Sequence, residues 1–186
     1  KSLKIILLPS NLQFFSKSKS ISFLLLRKNN LILQIIMANK IRITKRFTFE
    51  TAHAIHGYDG LCKNIHGHSY KLNVTVIGTP INNTQDRKCG MIIDFSDLKK
   101  IVQEEIVLPF DHATVLNCNS PHKIMADELE DKGNKIIRVN FQPTCEMLVI
   151  DFAEKIKRKL PKNISLHSLK LIETATAYAE WYASDN

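Results

Sequence analysis

No stretch of this 186-residue chain approaches the ~18 consecutive apolar residues of a membrane-spanning helix. Its four cysteines (Cys62, Cys89, Cys118 and Cys145) include no Cys-x-x-Cys pair, which excludes paired-thiolate zinc and dithiol redox motifs. A domain of this size does not need disulfides, so the reading is four thiols in a reducing cytoplasm. No internal repeat is present, which excludes solenoids and propellers. Acid is missing from residues 1–36, which hold Lys1, Lys4, Lys17, Lys19, Arg27 and Lys28. The formal charge of +8 is therefore concentrated there. The rest of the chain, residues 37–186, is close to balanced, which argues against a nucleic-acid binder.

Residues 1–36 lack a small-residue cleavage pattern after a single apolar core. They read as upstream sequence ahead of Met37, the first methionine, or alternatively as a cleaved targeting peptide. Residues 37–186 read as one domain.

In that domain Ile41, Ile43, Phe47 and Phe49 alternate as a strand over 41–50. A long loop, 52–65, comes next, and long ordered loops are often functional. Tyr70, Leu72, Val74 and Val76 mark a second strand over 68–77, and residues 91–93 a third, short one. Leu98, Ile101, Val102 and Ile106 share one helical face, with Ser96 as N-cap and Pro109 at the end. Residues 118–135 are polar and read as peripheral. Residues 136–141 form another strand. Thr144 opens a second helix, with Val149, Phe152, Ile156 and Leu160 on one face. Two last strands, 168–172 and 177–182, flank Glu173. This order predicts an α+β fold: an antiparallel sheet with two helices packed on one face.

Cys62-Lys63-Asn64-Ile65-His66-Gly67-His68, preceded by His53, carries the chemistry. Histidines at i and i+2 of a strand point to one face, roughly 6–7 Å apart. With His53 they supply three nitrogens and leave a fourth position open, the layout of a catalytic zinc. Gly67 permits close approach between them. Cys62 then sits beside the open position, as a base or as a fourth ligand that closes the site.

Six motifs run in register here: Phe49-Glu50-Thr51-Ala52-His53, Cys62-x-x-x-His66-Gly67-His68, Gly90-Met91-Ile92-Ile93-Asp94-Phe95, Phe110-Asp111-His112, Pro143-Thr144-Cys145-Glu146 and Glu173-Thr174. Together they resemble the 6-pyruvoyl-tetrahydropterin synthase / 6-carboxy-tetrahydropterin synthase family. The resemblance implies the tunnelling fold, in which subunits pair their sheets into a barrel and two rings stack. It also implies a homo-oligomer, a hexamer, with active sites at subunit interfaces. The implied enzyme is a zinc-dependent lyase acting on a small molecule, 7,8-dihydroneopterin triphosphate. The short Cys-x-x-x-His-Gly-His spacing resembles the bacterial 6-carboxy branch of queuosine (7-deazaguanine) biosynthesis. The alternatives are the 6-pyruvoyl activity and a zinc-stabilised binding module without turnover. Met147 departs from the family's usual Asn.

By the same resemblance, His53, His66 and His68 hold Zn2+ and Cys62 is the general base. Asp111 and His112 form a proton relay, the carboxylate orienting the imidazole. Glu173 anchors the pterin through two parallel hydrogen bonds. Thr144 and Glu146 assist at the pocket, or serve only as a helix cap and a first-turn acid.

Overall fold

Alternation along the first two strands builds the centre of the molecule. The computed structural model describes residues 39–186 and Lys28, so the reading of residues 1–36 as a leader lies, apart from Lys28, outside the described residues. Strand β1 (Ile41–His53) buries Phe47, Phe49, Thr51 and His53 on one side and exposes Thr48 and Glu50 on the other. It pairs antiparallel with β2 (His66–Gly78), from Ile41 opposite Gly78 to His53 opposite His66. Both strands reach further toward the histidines than their hydrophobic alternation predicts.

Past Gly78 the chain does not form the expected strand at 91–93, although Ile92 and Ile93 are buried in the core. Asp94, rather than Ser96, caps helix α1, its carboxylate accepting from Ser96 N. Helix α1 (Phe95–Val102) runs on through a π-helical turn (Gln103–Val107) into Leu108–Phe110. That turn shifts the hydrogen-bond register just ahead of Pro109, which has no N–H to give. Strand β3 (Ala113–Asn117), helix α2 (His122–Asp131) and β4 (Ile136–Val139) come next. Helix α3 (Cys145–Lys159) is capped by Thr144, and β5 (Ile164–Ile172) and β6 (Tyr178–Tyr182) complete the order.

Among the described residues the strands form one sheet in the order β4-β3-β1-β2-β5-β6. The architecture is α+β as expected, but the sheet is mixed. The β1-β2-β5-β6 part is antiparallel, whereas β3 joins β1 and β4 joins β3 in parallel. The polar stretch 118–135 explains the difference. It folds as a helical crossover, the connection that parallel neighbours require, and packs Ala126 against Ala54 and Leu116.

Helices α1 and α3 cover one face of the sheet. Leu98, Val102, Ile106 and Phe110 meet Leu148, Phe152 and Ile156 over Phe49, Tyr70 and Leu72. Phe152 stands edge-on to Phe110 (4.8 Å) and Phe49 (6.1 Å). Burial of one such ring stabilises the fold by roughly 1.5–3 kcal/mol. This core fixes the strand ends that carry the histidines.

Candidate metal centre and active site

Register brings the three histidines together. His53 faces His66 directly across β1–β2, and Thr51 faces His68, so all three rings leave the sheet on the core side. Ring centroids lie 4.5 Å (His53–His66), 5.3 Å (His53–His68) and 5.0 Å (His66–His68) apart. One ligand nitrogen from each lies within 4.8 Å of the others. The close approach depends on Gly67, where a Cβ would meet Thr51 O at 3.3 Å.

Backbone carbonyls set which nitrogen is free. His53 Nδ1 donates to Pro143 O at 2.5 Å, and His66 Nδ1 to Asn64 O at 2.9 Å. A carbonyl only accepts, so both rings carry a proton on Nδ1, the tautomer that in the neutral ring leaves the lone pair on Nε2. His53 is only 2% exposed, and its Nε2 is buried without a hydrogen-bond partner. Burial is the main force holding its pKa below the ordinary value, against the bond to Pro143. Three imidazoles whose ligand nitrogens converge, one of them orphaned and buried, suit a zinc ion.

A cavity of about 430 Å³ opens on this cluster, lined also by Cys62, Glu173, Thr144 and Glu146. Cys62 lies in a short 3₁₀ turn (Leu61–Lys63), its carbonyl accepting from Ile55 N at 2.9 Å. Glu173 follows β5, with Oε1 3.7 Å from His53 Nε2 and 3.8 Å from His68 Nε2. Tyr70 OH donates to the same oxygen at 2.8 Å. Burial and then Glu173 push the Tyr70 pKa up, so the phenol remains a donor. Thr144 accepts from Met147 N while lining the cavity, so capping and pocket roles coincide. Cys145 also lines it, but burial pushes its thiol up to about 12, which keeps it inert.

Asp111 and His112 lie elsewhere. Asp111 Oδ1 accepts from Glu50 N at 2.9 Å, and His112 N donates to Glu50 O at 2.6 Å. Their side chains pair at 3.1 Å between His112 Nδ1 and Asp111 Oδ2. His112 lines a second cavity, about 370 Å³, with Glu50, Ala52, Gly67, Ser69 and Thr114, and also with Thr51, His68 and Ala113. Glu50 and Ala52 alternate with Thr51 and His53, so their side chains, beside His112, stand on the opposite face of β1 from the His53 ring. Within one chain the pair does not meet Cys62. His112 holds a left-handed backbone (φ 57°), a strained conformation of the kind stored at functional positions. The bond from Glu50 N is the main force lowering the Asp111 pKa.

The model of the family described as 6-pyruvoyl tetrahydropterin synthase matches residues 42–184. The chain belongs to that family. It is an enzyme of the tetrahydropterin synthase kind. It is 36% identical over 141 residues to the 6-carboxy-5,6,7,8-tetrahydropterin synthase of Haemophilus influenzae, covering 75% of this chain and 97% of the relative. The Rickettsia typhi protein of the same name is 34% identical over 143 residues, covering 75% and 99%. In fold, the chain is similar to the 6-pyruvoyl tetrahydropterin synthase of Caenorhabditis elegans (TM-score 0.55, 21% identity, 78% of this chain and 96% of that one). The Plasmodium falciparum 6-pyruvoyl tetrahydropterin synthase gives TM-score 0.58 at 19% identity, over 77% and 98%.

Four further residues shape the site: Tyr70, Pro143, Asn64 and Lys135. Tyr70 carries a signal, since it continues the i, i+2 face of His66 and His68. Pro143 and Asn64 act through backbone carbonyls, which no sequence pattern announces. Lys135 Nζ donates to Leu108 O (2.7 Å) and Asp111 O (2.8 Å), tying down the segment that presents His112. Among the described residues no helix is long and apolar enough to cross a membrane.

Proposed function

We propose that the enzyme converts 7,8-dihydroneopterin triphosphate to 6-carboxy-5,6,7,8-tetrahydropterin, releasing acetaldehyde and triphosphate, in queuosine-type 7-deazaguanine biosynthesis. Residues 37–186 make up the catalytic domain. The observation that carries this reading is the convergence of His53, His66 and His68 with Cys62 and Glu173 on one cavity. The curated relatives named for the 6-carboxy product favour it over the 6-pyruvoyl product.

His53, His66 and His68 hold zinc through nitrogens, two of whose tautomers are fixed from behind. Zinc supplies a Lewis acid that lowers the pKa of the substrate's side-chain hydroxyls. Glu173, oriented by Tyr70, accepts the paired N–H groups of the pterin. Cys62 takes the side-chain proton as general base. Asp111 and His112 shuttle protons, and they come from a neighbouring subunit of a homo-oligomer, since His112 stands beside Glu50 and Ala52 on the opposite face of β1 from the His53 ring. Thr144 and Glu146 line the pterin pocket. We place the enzyme in a reducing, cytoplasmic setting, a reading that rests on four scattered cysteines in a domain large enough to need no disulfide.

Incubation of the zinc-loaded enzyme with dihydroneopterin triphosphate, with products identified by mass, tests the reading. Acetaldehyde with 6-carboxy-tetrahydropterin is expected. A 6-pyruvoyl product would keep the site and change the reaction, and no turnover with zinc bound would overturn both.

A further inference from the structure

Two buried side-chain polar atoms have no hydrogen-bond partner among the described residues, and both are imidazole nitrogens: His53 Nε2 and His122 Nδ1. The first belongs to the triad. The second lies outside it, in the first turn of α2, on a residue only 8% exposed. A buried polar atom without a partner is costly, and native folds rarely leave one.

What stands beside His122 is another imidazole. The His56 ring lies 5.1 Å from it, centroid to centroid, edge to face at 76°. The triad rings, at 4.5 to 5.3 Å, have the same spacing. His56 is exposed, so solvent and ions reach the pair. Its backbone is held at both ends by one side chain: Gln142 Oε1 accepts from His56 N at 3.2 Å, and Nε2 donates to His56 O at 2.6 Å. Burial, and then the charge of His56, hold the His122 pKa below its ordinary value. That favours the neutral ring, the form with a lone pair to give.

We propose that His56 and His122 form a second transition-metal site, two imidazoles completed by water, for a divalent ion that favours imidazole, such as Zn2+ or Ni2+. Two protein ligands make it weaker than the triad. The site is tied to the catalytic loop. Ile55, next to His56, donates to the carbonyl of Cys62, so an ion there would stiffen the segment leading to the thiol.

Calorimetric titration of the metal-free full chain with Zn2+ counts the equivalents. Two per chain are expected, one tight and one weaker. His56→Asn and His122→Asn should each lose the weaker equivalent and keep the tight one. His66→Asn should do the reverse, an arm that reports on the triad alone. Circular dichroism checks the fold of each variant, and His56, being exposed, tolerates substitution if His122 does not. A single equivalent in the wild-type chain would overturn the proposal. So would a weaker equivalent that survives His56→Asn.

Discussion

Consider oligomers assembled from equal amounts of two variants, Cys62→Ala and His112→Ala. In one chain Cys62 lines the cavity on the core side of β1 and β2, whereas His112 stands beside Glu50 and Ala52 on the other face of β1. The thiol and the imidazole act together only if they come from different chains. On the proposed shared site each variant alone lacks one half of every site, and loss of a general acid–base group lowers turnover by roughly 10²–10⁴-fold. In a random mixture a site is intact when both contributing chains carry the wild-type residue. That holds with a chance of one half at each, or about one quarter of all sites. The mixture is therefore expected to recover about a quarter of wild-type acetaldehyde release, from a background near zero. Native mass spectrometry verifies that subunits have exchanged. If exchange is complete and activity stays at the level of the separate variants, the shared-site reasoning is wrong.

Two other outcomes rest on the second cavity. Lys135→Met removes both bonds that tie down the segment before His112. Turnover should fall about 10-fold with KM and zinc content unchanged, and Lys135→Arg should recover part of it; a merely structural role would leave kcat intact in the folded variant. Asp111 has its pKa lowered in the folded chain, first by Glu50 N–H. Its ionised form thus adds stability that is fully present above the unfolded value, about 3.9, and is lost as pH falls through the lower folded value. The Tm gap between wild type and Asp111→Asn should narrow below pH ~4, and a gap constant with pH would refute this.

Much of the core was legible because its causes are local. The period-2 alternation in β1 and β2 and the one-sided face of Val149, Phe152 and Ile156 survive any rearrangement of their neighbours. The i, i+2 histidines were legible for the same reason. Helix α2 was missed because 118–135 is polar and buries only a small face, Ala126 and His122. The short strand expected at 91–93 failed because Ile92 and Ile93 bury as individual side chains, without strand partners.

Short-range spacing by itself determined the antiparallel pair, two of the helices and the histidine cluster, because a strand's pleat and a helix's turn act over a few residues. Tertiary structure decided the rest through contacts between residues far apart in the chain. Pro143 O selects the His53 tautomer across the fold, and Tyr70 reaches Glu173 from another strand. The parallel register of β3 beside β1 brings Asp111 and His112 to Glu50. The pleat of β1 then directs them away from Cys62. A motif can name a relay, but only the register of the sheet decides which face it serves.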